Sequence, residues 1–224
     1  MEIANIKKYP KINGLYKRNE KGKITAEICN PLFEFLANNK WHAYEKIDGT
    51  NIRIAIYKQN GNINTVIAGR NDNSSIPSLL EQKLKEIIDG VKDWDSVFFR
   101  PLKDGDCVVM YGEGYGKGIQ SAGNRYNPEA TDFILFDVLF NKTWYTYNNL
   151  LSVGAKVNIK VVPYMGTFTI PQAENIVKKG FISHVSHDKT LIAEGLVLRP
   201  ASDAYLFDCL EERITVKIKT KDYI

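Results

Sequence analysis

Long apolar runs are missing from this sequence. Nothing in it approaches the roughly 20 consecutive apolar residues that a membrane-spanning helix needs, so no such helix is expected. The opening stretch MEIANIKKYPKING has no apolar centre followed by a small-residue cleavage site, and it does not read as a signal peptide. Cysteine is scarce. Cys29, Cys107 and Cys209 are far apart, odd in number and never in a C-x-x-C pair. That argues against a disulfide framework or a cysteine zinc site and fits a reduced, cytoplasmic chain. His184 and His187 stand three apart with no second ligand pair, and read as surface or structural side chains. Charge of one sign is not dominant either: 30 basic residues face 26 acidic ones, for a net charge of +4 and a pI near 8.8. This mild excess is compatible with a polyanionic partner without requiring one. Neither a fixed-period repeat, a low-complexity segment nor a Pro/Gly/Ser linker divides the 224 residues, so the reading is one domain. At 44% hydrophobic, the chain can bury a substantial core.

What the sequence does contain is mostly strand. NIRIAIY (51–57) alternates Ile52, Ile54 and Ile56 with Asn51, Arg53 and Ala55, the period of two that a strand requires. DCVVMYGEG (106–114), DFILFDVLF (132–140), NIKVVPY (158–164), LIAEGLVLRP (191–200) and RITVKIKT (213–220) are the other strong strands. The clearest helix covers about 77–92, with Pro77 near its start and Leu80, Leu84, Ile87, Ile88 and Val91 on one face. Shorter helices are expected at 30–38, 147–153 and 171–179. Irregular mixing of strands and helices, without βαβα alternation, indicates an α+β class with mainly antiparallel sheets and flanking helices.

Two stretches invite a functional reading. YEKIDGTN (44–51) contains Asp48-Gly49, a dipeptide suited to closing a tight hairpin. YGEGYGKG (111–118) resembles a phosphate loop but fails the pattern, since Tyr111 occupies the first glycine position and Gly118 the hydroxyl position. Polar residues also interrupt the strands: Lys46, Asp48, Asn51, Arg53, Arg70, Glu113, Glu194, Lys217 and Lys219. In TVKIKT, Lys217 and Lys219 share one strand face and repel, so an anion should lie over them. Taken singly, the plainer readings are a charged strand edge for the lysines and surface carboxylates for the glutamates.

Taken in order, these segments resemble the covalent nucleotidyltransferases. EKIDGTN, an isolated arginine, the glutamate of YGEG, the aromatic of LFDV, EGLVLRP and VKIK follow the order of that family, which includes polynucleotide ligases and mRNA capping enzymes. EKIDGTN, with Asn51 where DNA ligases and capping enzymes usually have arginine, together with the opening KKYPKING, is most similar to RNA ligases of the phage T4 second-ligase and kinetoplastid editing type. The resemblance implies an ATP-grasp-like ligase fold, an adenylyltransferase domain over 1–224, and an ATP-dependent RNA ligase that works through a lysyl-AMP intermediate. It implies Lys46 as nucleophile and Asp48-Gly49 as the turn presenting it. Glu45 would recognise adenine, Asn51 and Arg70 touch ribose or phosphate, Glu113 bind ribose hydroxyls and Phe136 stack on adenine. Lys217 and Lys219 would neutralise phosphate charge and Glu194 would hold a metal, directly or through water. ATP and Mg²⁺ are the implied cofactors, with Mn²⁺ able to substitute. RNA bearing 5′-phosphate and 3′-OH ends, nicked duplex included, is the implied partner, with the chain acting as a monomer away from membranes. Arg53 shares a face with Asn51 and receives no role. A DNA ligase, a GTP-using capping enzyme and an inactive nucleic-acid-binding relative are the alternatives. Complete ligases of this type continue past VKIK into a C-terminal domain that grips nucleic acid. Five residues follow Lys219 here, so that domain is not expected within the sequence.

Overall fold

The computed structural model describes residues 5–201 and 213–224, so Cys209 lies outside the described residues. In chain order it forms β1 (Asn13–Gly14), β2 (Tyr16–Arg18), β3 (Ile24–Ile28), α1 (Pro31–Phe35) and β4 (Trp41–Lys46). Next come β5 (Thr50–Gln59), β6 (Asn62–Gly69), α2 (Ser78–Asp89), β7 (Cys107–Gly116) and α3 (Gly123–Tyr126). They are followed by β8 (Thr131–Phe140), β9 (Thr143–Trp144), α4 (Tyr147–Lys156) and β10 (Lys160–Val161). The last are β11 (Tyr164–Phe168), α5 (Ile170–Lys179), β12 (Gly195–Pro200) and β13 (Val216–Lys219). The class is α+β with mainly antiparallel sheets, as expected. No described helix is long and apolar enough to cross a membrane.

These elements form two compact units, one from Met1–Tyr9 with Asp48–Val162 and the other from Pro10–Ile47 with Pro163–Ile224. Both are assembled from non-contiguous segments. The chain passes from one to the other at Tyr9/Pro10, Ile47/Asp48 and Val162/Pro163, each time across a single peptide bond, so no linker composition marks the boundary.

The first unit is built on a sheet of order β10-β8-β7-β5-β6, with β9 beside β8. The period of two in β5 holds. Ile52, Ile54 and Ile56 pack with Leu80 and Leu84 of α2 and with Leu150 and Val153 of α4. Ala55 faces a second cluster containing Ile6, Tyr111, Leu139 and Trp144. Apolar packing on both faces is the main stabilising term of such a sheet.

Two departures concern turns. β6 was not expected, although Asn60 and Gly61, with φ of 52° and 77°, close the β5–β6 hairpin in the conformation that an Asn-Gly pair favours. Asp48-Gly49 closes no hairpin, because β4 and β5 belong to different sheets. Gly49 is needed for a different reason: a Cβ there would lie 2.2 Å from the Gly114 carbonyl oxygen and 2.8 Å from Glu113 Cγ. Only a glycine lets β5 begin this close to β7.

Arg53 is a structural clamp, fully buried at 0% exposure. Its guanidinium donates to the Gly69 carbonyl at 2.8 Å, the Ile6 carbonyl at 2.7 Å and Asp72 Oδ1 at 2.9 Å. Arg53→Met would leave these acceptors without their buried donor. We expect it to lower unfolding free energy by about 3 kcal/mol, measured by urea denaturation.

The second unit carries a sheet of order β1-β13-β12-β4-β11 and a small β2-β3 ribbon. Trp41 and Ala43 of β4, Leu196 and Leu198 of β12, and Val216 and Ile218 of β13 form one apolar face. Phe33 of α1 and Ile170, Ala173 and Val177 of α5 cover it. Helix α5 starts with a full capping box between Thr169 and Gln172. The run 158–164 does not form one strand. It divides into β10 of one sheet and β11 of the other, with Pro163, which has no N–H to donate, at the break.

Candidate active site

Strand register assembles the lysines. On β4, Trp41, Ala43 and Glu45 face one way and His42, Tyr44 and Lys46 the other, by strict alternation. Lys46 lies opposite Gly195 of β12, and Gly195 lies opposite Lys219 of β13. Lys46, Gly195 and Lys219 therefore form one row across three strands, with no side chain at its centre. Glu194 bridges two of these lysines. Its Oε2 accepts from Lys46 Nζ at 2.6 Å and its Oε1 from Lys219 Nζ at 2.6 Å. All three side chains are mostly buried, with 22%, 20% and 14% exposed for Lys46, Lys219 and Glu194, so the charges are only lightly screened. Lys217 shares the face of Lys219 and lies opposite Val197.

Thr220, which sequence reasoning missed, fixes Glu194 from behind. Its N–H donates to the Glu194 carbonyl and its hydroxyl to the Ala193 carbonyl, each at 2.8 Å.

Gly195 has φ of 146°, and a Cβ there would approach the Ile218 carbonyl oxygen to 2.0 Å. Gly195→Ala must therefore push β12 from β13 and disturb the row. The expected loss is on the order of 3 kcal/mol in unfolding free energy, read from a urea melt.

Glu45 is not brought to the Lys46 face. It is 1% exposed, on the opposite face of β4. Ser183 Oγ donates to its Oε1 at 2.5 Å and the His184 N–H to its Oε2 at 2.9 Å. Burial pushes the Glu45 carboxyl above the usual carboxylate range, while these two donors pull it back. The side chain anchors the end of β4, and its backbone N–H donates to the Pro163 carbonyl at 3.0 Å. His184 contributes through its backbone, which no sequence motif marks.

In the first unit, Asn51 of β5 lies directly opposite Glu113 of β7. Asn51 Oδ1 is buried and has no hydrogen-bond partner among the described residues, as expected of an atom that meets a polar ligand. Arg70 is exposed just beyond β6. Phe136 on β8 is partly buried, with the Tyr9 ring edge-on at 5.0 Å. Tyr126 OH accepts from the Asp48 N–H at 3.3 Å, and Gln120 Nε2 donates to the Gly49 carbonyl at 3.3 Å. These two residues, also missed by sequence, hold the segment that follows β4.

The metal implied by resemblance has one carboxylate here, Glu194. Among the described residues no three His, Cys, Asp or Glu side chains cluster to cage an ion. This donor set fits a hard cation that keeps most of its ligands as water and phosphate oxygen.

The family model described as RNA ligase matches residues 39–219, and the chain belongs to that family. Solved structures of Naegleria gruberi RNA ligase share the fold. The enzyme with PPi has a TM-score of 0.59 at 20% identity, over 96% of this chain and 62% of that one. A lysine-to-methionine variant with AMP and Mn scores 0.58 at 18% identity, over 96% and 62%. An arginine-to-alanine variant with ATP and Mn scores 0.62 at 17% identity, over 98% and 57%. The chain thus spans about three fifths of the length of these structures. No curated protein matches the sequence.

Proposed function

We propose that this chain catalyses ATP-dependent RNA ligation, with Lys46 as the covalent nucleophile. The observation that carries this reading is the row of Lys46 and Lys219 bridged by Glu194. Neutral Lys46 Nζ attacks the α-phosphorus of ATP, an N–P bond forms, and the bond to pyrophosphate breaks with the electron pair leaving on oxygen. Glu194, at 2.6 Å, is in position to take the proton that Lys46 must lose. The ammoniums of Lys217 and Lys219 offset charge on the transferring phosphate. A bound Mg²⁺ or Mn²⁺ would add to that offset. Asn51, Glu113, Arg70 and Phe136 supply polar, cationic and aromatic groups suited to ribose, phosphate and adenine. The AMP then passes to an RNA 5′-phosphate as the N–P bond breaks, and a 3′-OH displaces AMP to form the phosphodiester. Solved relatives with ATP, AMP, PPi and Mn support this reading of substrate and metal. The scarcity and wide spacing of cysteine in the sequence favour a reducing, cytoplasmic setting.

The test is incubation with labelled ATP or GTP and Mg²⁺, then denaturing electrophoresis, followed by joining assays on 5′-phosphorylated and pre-adenylylated RNA. Covalent label from ATP and joined RNA are expected. Label from GTP alone would indicate a capping enzyme, and no label an inactive relative.

A further inference from the structure

The sheet face that carries Lys46 continues beyond the lysine row, and its composition changes there. One row along, Tyr164 of β11 lies opposite Tyr44, Tyr44 opposite Val197, and Val197 opposite Lys217. A further row along, Thr167 lies opposite His42, and His42 opposite Arg199. Successive rows are about 7 Å apart, from the rise of two strand residues.

The aromatic groups form one connected cluster. The Tyr164 ring lies 5.5 Å from His42 and 5.8 Å from Tyr44, and the Arg199 guanidinium sits 5.4 Å over the Tyr44 ring. His42 Nδ1 is 3.2 Å from Tyr164 OH and 3.1 Å from Thr167 Oγ1, which fixes the tilt of both rings. Tyr164 is nonetheless 44% exposed, and Thr167 is exposed beside it. Nothing in the adenylylation step uses this patch.

Exposed aromatic surface interleaved with cations is the chemistry that holds single-stranded nucleic acid, with bases stacking on rings and phosphates meeting Arg and Lys. We infer that this face, with Tyr164 as its stacking platform and Arg199 as its phosphate contact, seats the RNA strand beside Lys46. The inference rests on the RNA ligase reading and adds where the strand lies. Register orders the rows from Lys46 to Tyr164 and then to Arg199, with Tyr44 buried beneath the Arg199 guanidinium.

The experiment is fluorescence anisotropy of a labelled single-stranded RNA across a salt series, with melting temperature recorded for each variant. Tyr164→Ala should bind about tenfold more weakly or worse, and Tyr164→Phe, which keeps the ring, should bind close to wild type. Arg199→Gln should weaken binding and flatten the slope of log affinity against log salt by about 0.7. Wild-type affinity in Tyr164→Ala would overturn the inference. So would equal losses in the Ala and Phe variants, which would assign the effect to the hydroxyl's hydrogen bonds with His42 and Thr167 and not to the ring. Absence of RNA binding by the wild-type protein at low salt would overturn it as well. Covalent labelling of the wild-type protein by ATP is measured in parallel. Label without a Tyr164 effect rejects this surface alone, whereas no label rejects the ligase reading itself.

Discussion

Lys46→Ala is expected to abolish covalent labelling by ATP completely while leaving the protein folded. The side chain projects from the face of β4 opposite the apolar core, so its removal opens no cavity among Trp41, Ala43 and their neighbours. Glu194 keeps Lys219 as a partner, so no buried carboxylate is stranded. Lys46→Arg should be equally silent, because a guanidinium stays protonated and offers no lone pair to phosphorus. The measurements are radiolabel on a denaturing gel and the melting temperature of each variant. Acid-labile label persisting in Lys46→Ala would assign the nucleophile to another lysine.

Glu194→Ala should reduce the rate of label formation by about 100-fold, the usual scale for losing one well-placed electrostatic contact. Here the loss has two parts. The proton acceptor 2.6 Å from Lys46 disappears, and Lys46 and Lys219 are left without the carboxylate that joins them. Glu194→Gln, which preserves size but not charge, should be nearly as slow. Lys217→Ala and Lys219→Ala should each slow labelling less than Glu194→Ala, because the remaining lysine still offsets phosphate charge. Single-turnover rates at saturating ATP provide the comparison. Rates near wild type in all four variants would remove β12 and β13 from the chemistry.

The shared face of Lys217 and Lys219 was legible because a strand has a period of two. TVKIKT puts Val216 and Ile218 in the core and both lysines on the other face, and the segment order of the family attached a role to each position. What could not be read was the bracing. Glu194 depends on the backbone N–H of Thr220, and Glu45 on that of His184, and a main-chain donor leaves no signature in residue type. Glu45 illustrates a second limit. Its neighbour in sequence is Lys46, yet alternation sends it to the opposite face and into burial. Asp48-Gly49 was misread because a glycine required for close approach looks the same in sequence as one required for a turn. The real hairpin, at Asn60-Gly61, carried the stronger signal and was overlooked. The break at Pro163 was obscured because apolar residues lead up to it and strand continues beyond it.

The interleaved connectivity has a consequence for how the chain matures. During synthesis, β5 to β8 emerge in an unbroken run, and the first sheet has all its strands once Val161 has left the ribosome. β4, made long before, must wait for β11 and then β12 before both of its edges are paired. Pairing across so many intervening residues is slow, because loop closure must precede any gain from contact. In refolding experiments the two sheets should therefore acquire protection from hydrogen exchange at different times, with the amides of β5 and β7 ahead of those of β4. A nascent chain halted just short of Glu194 would carry Lys46 on a strand with one bare edge, lacking its carboxylate partner and exposed to misassembly.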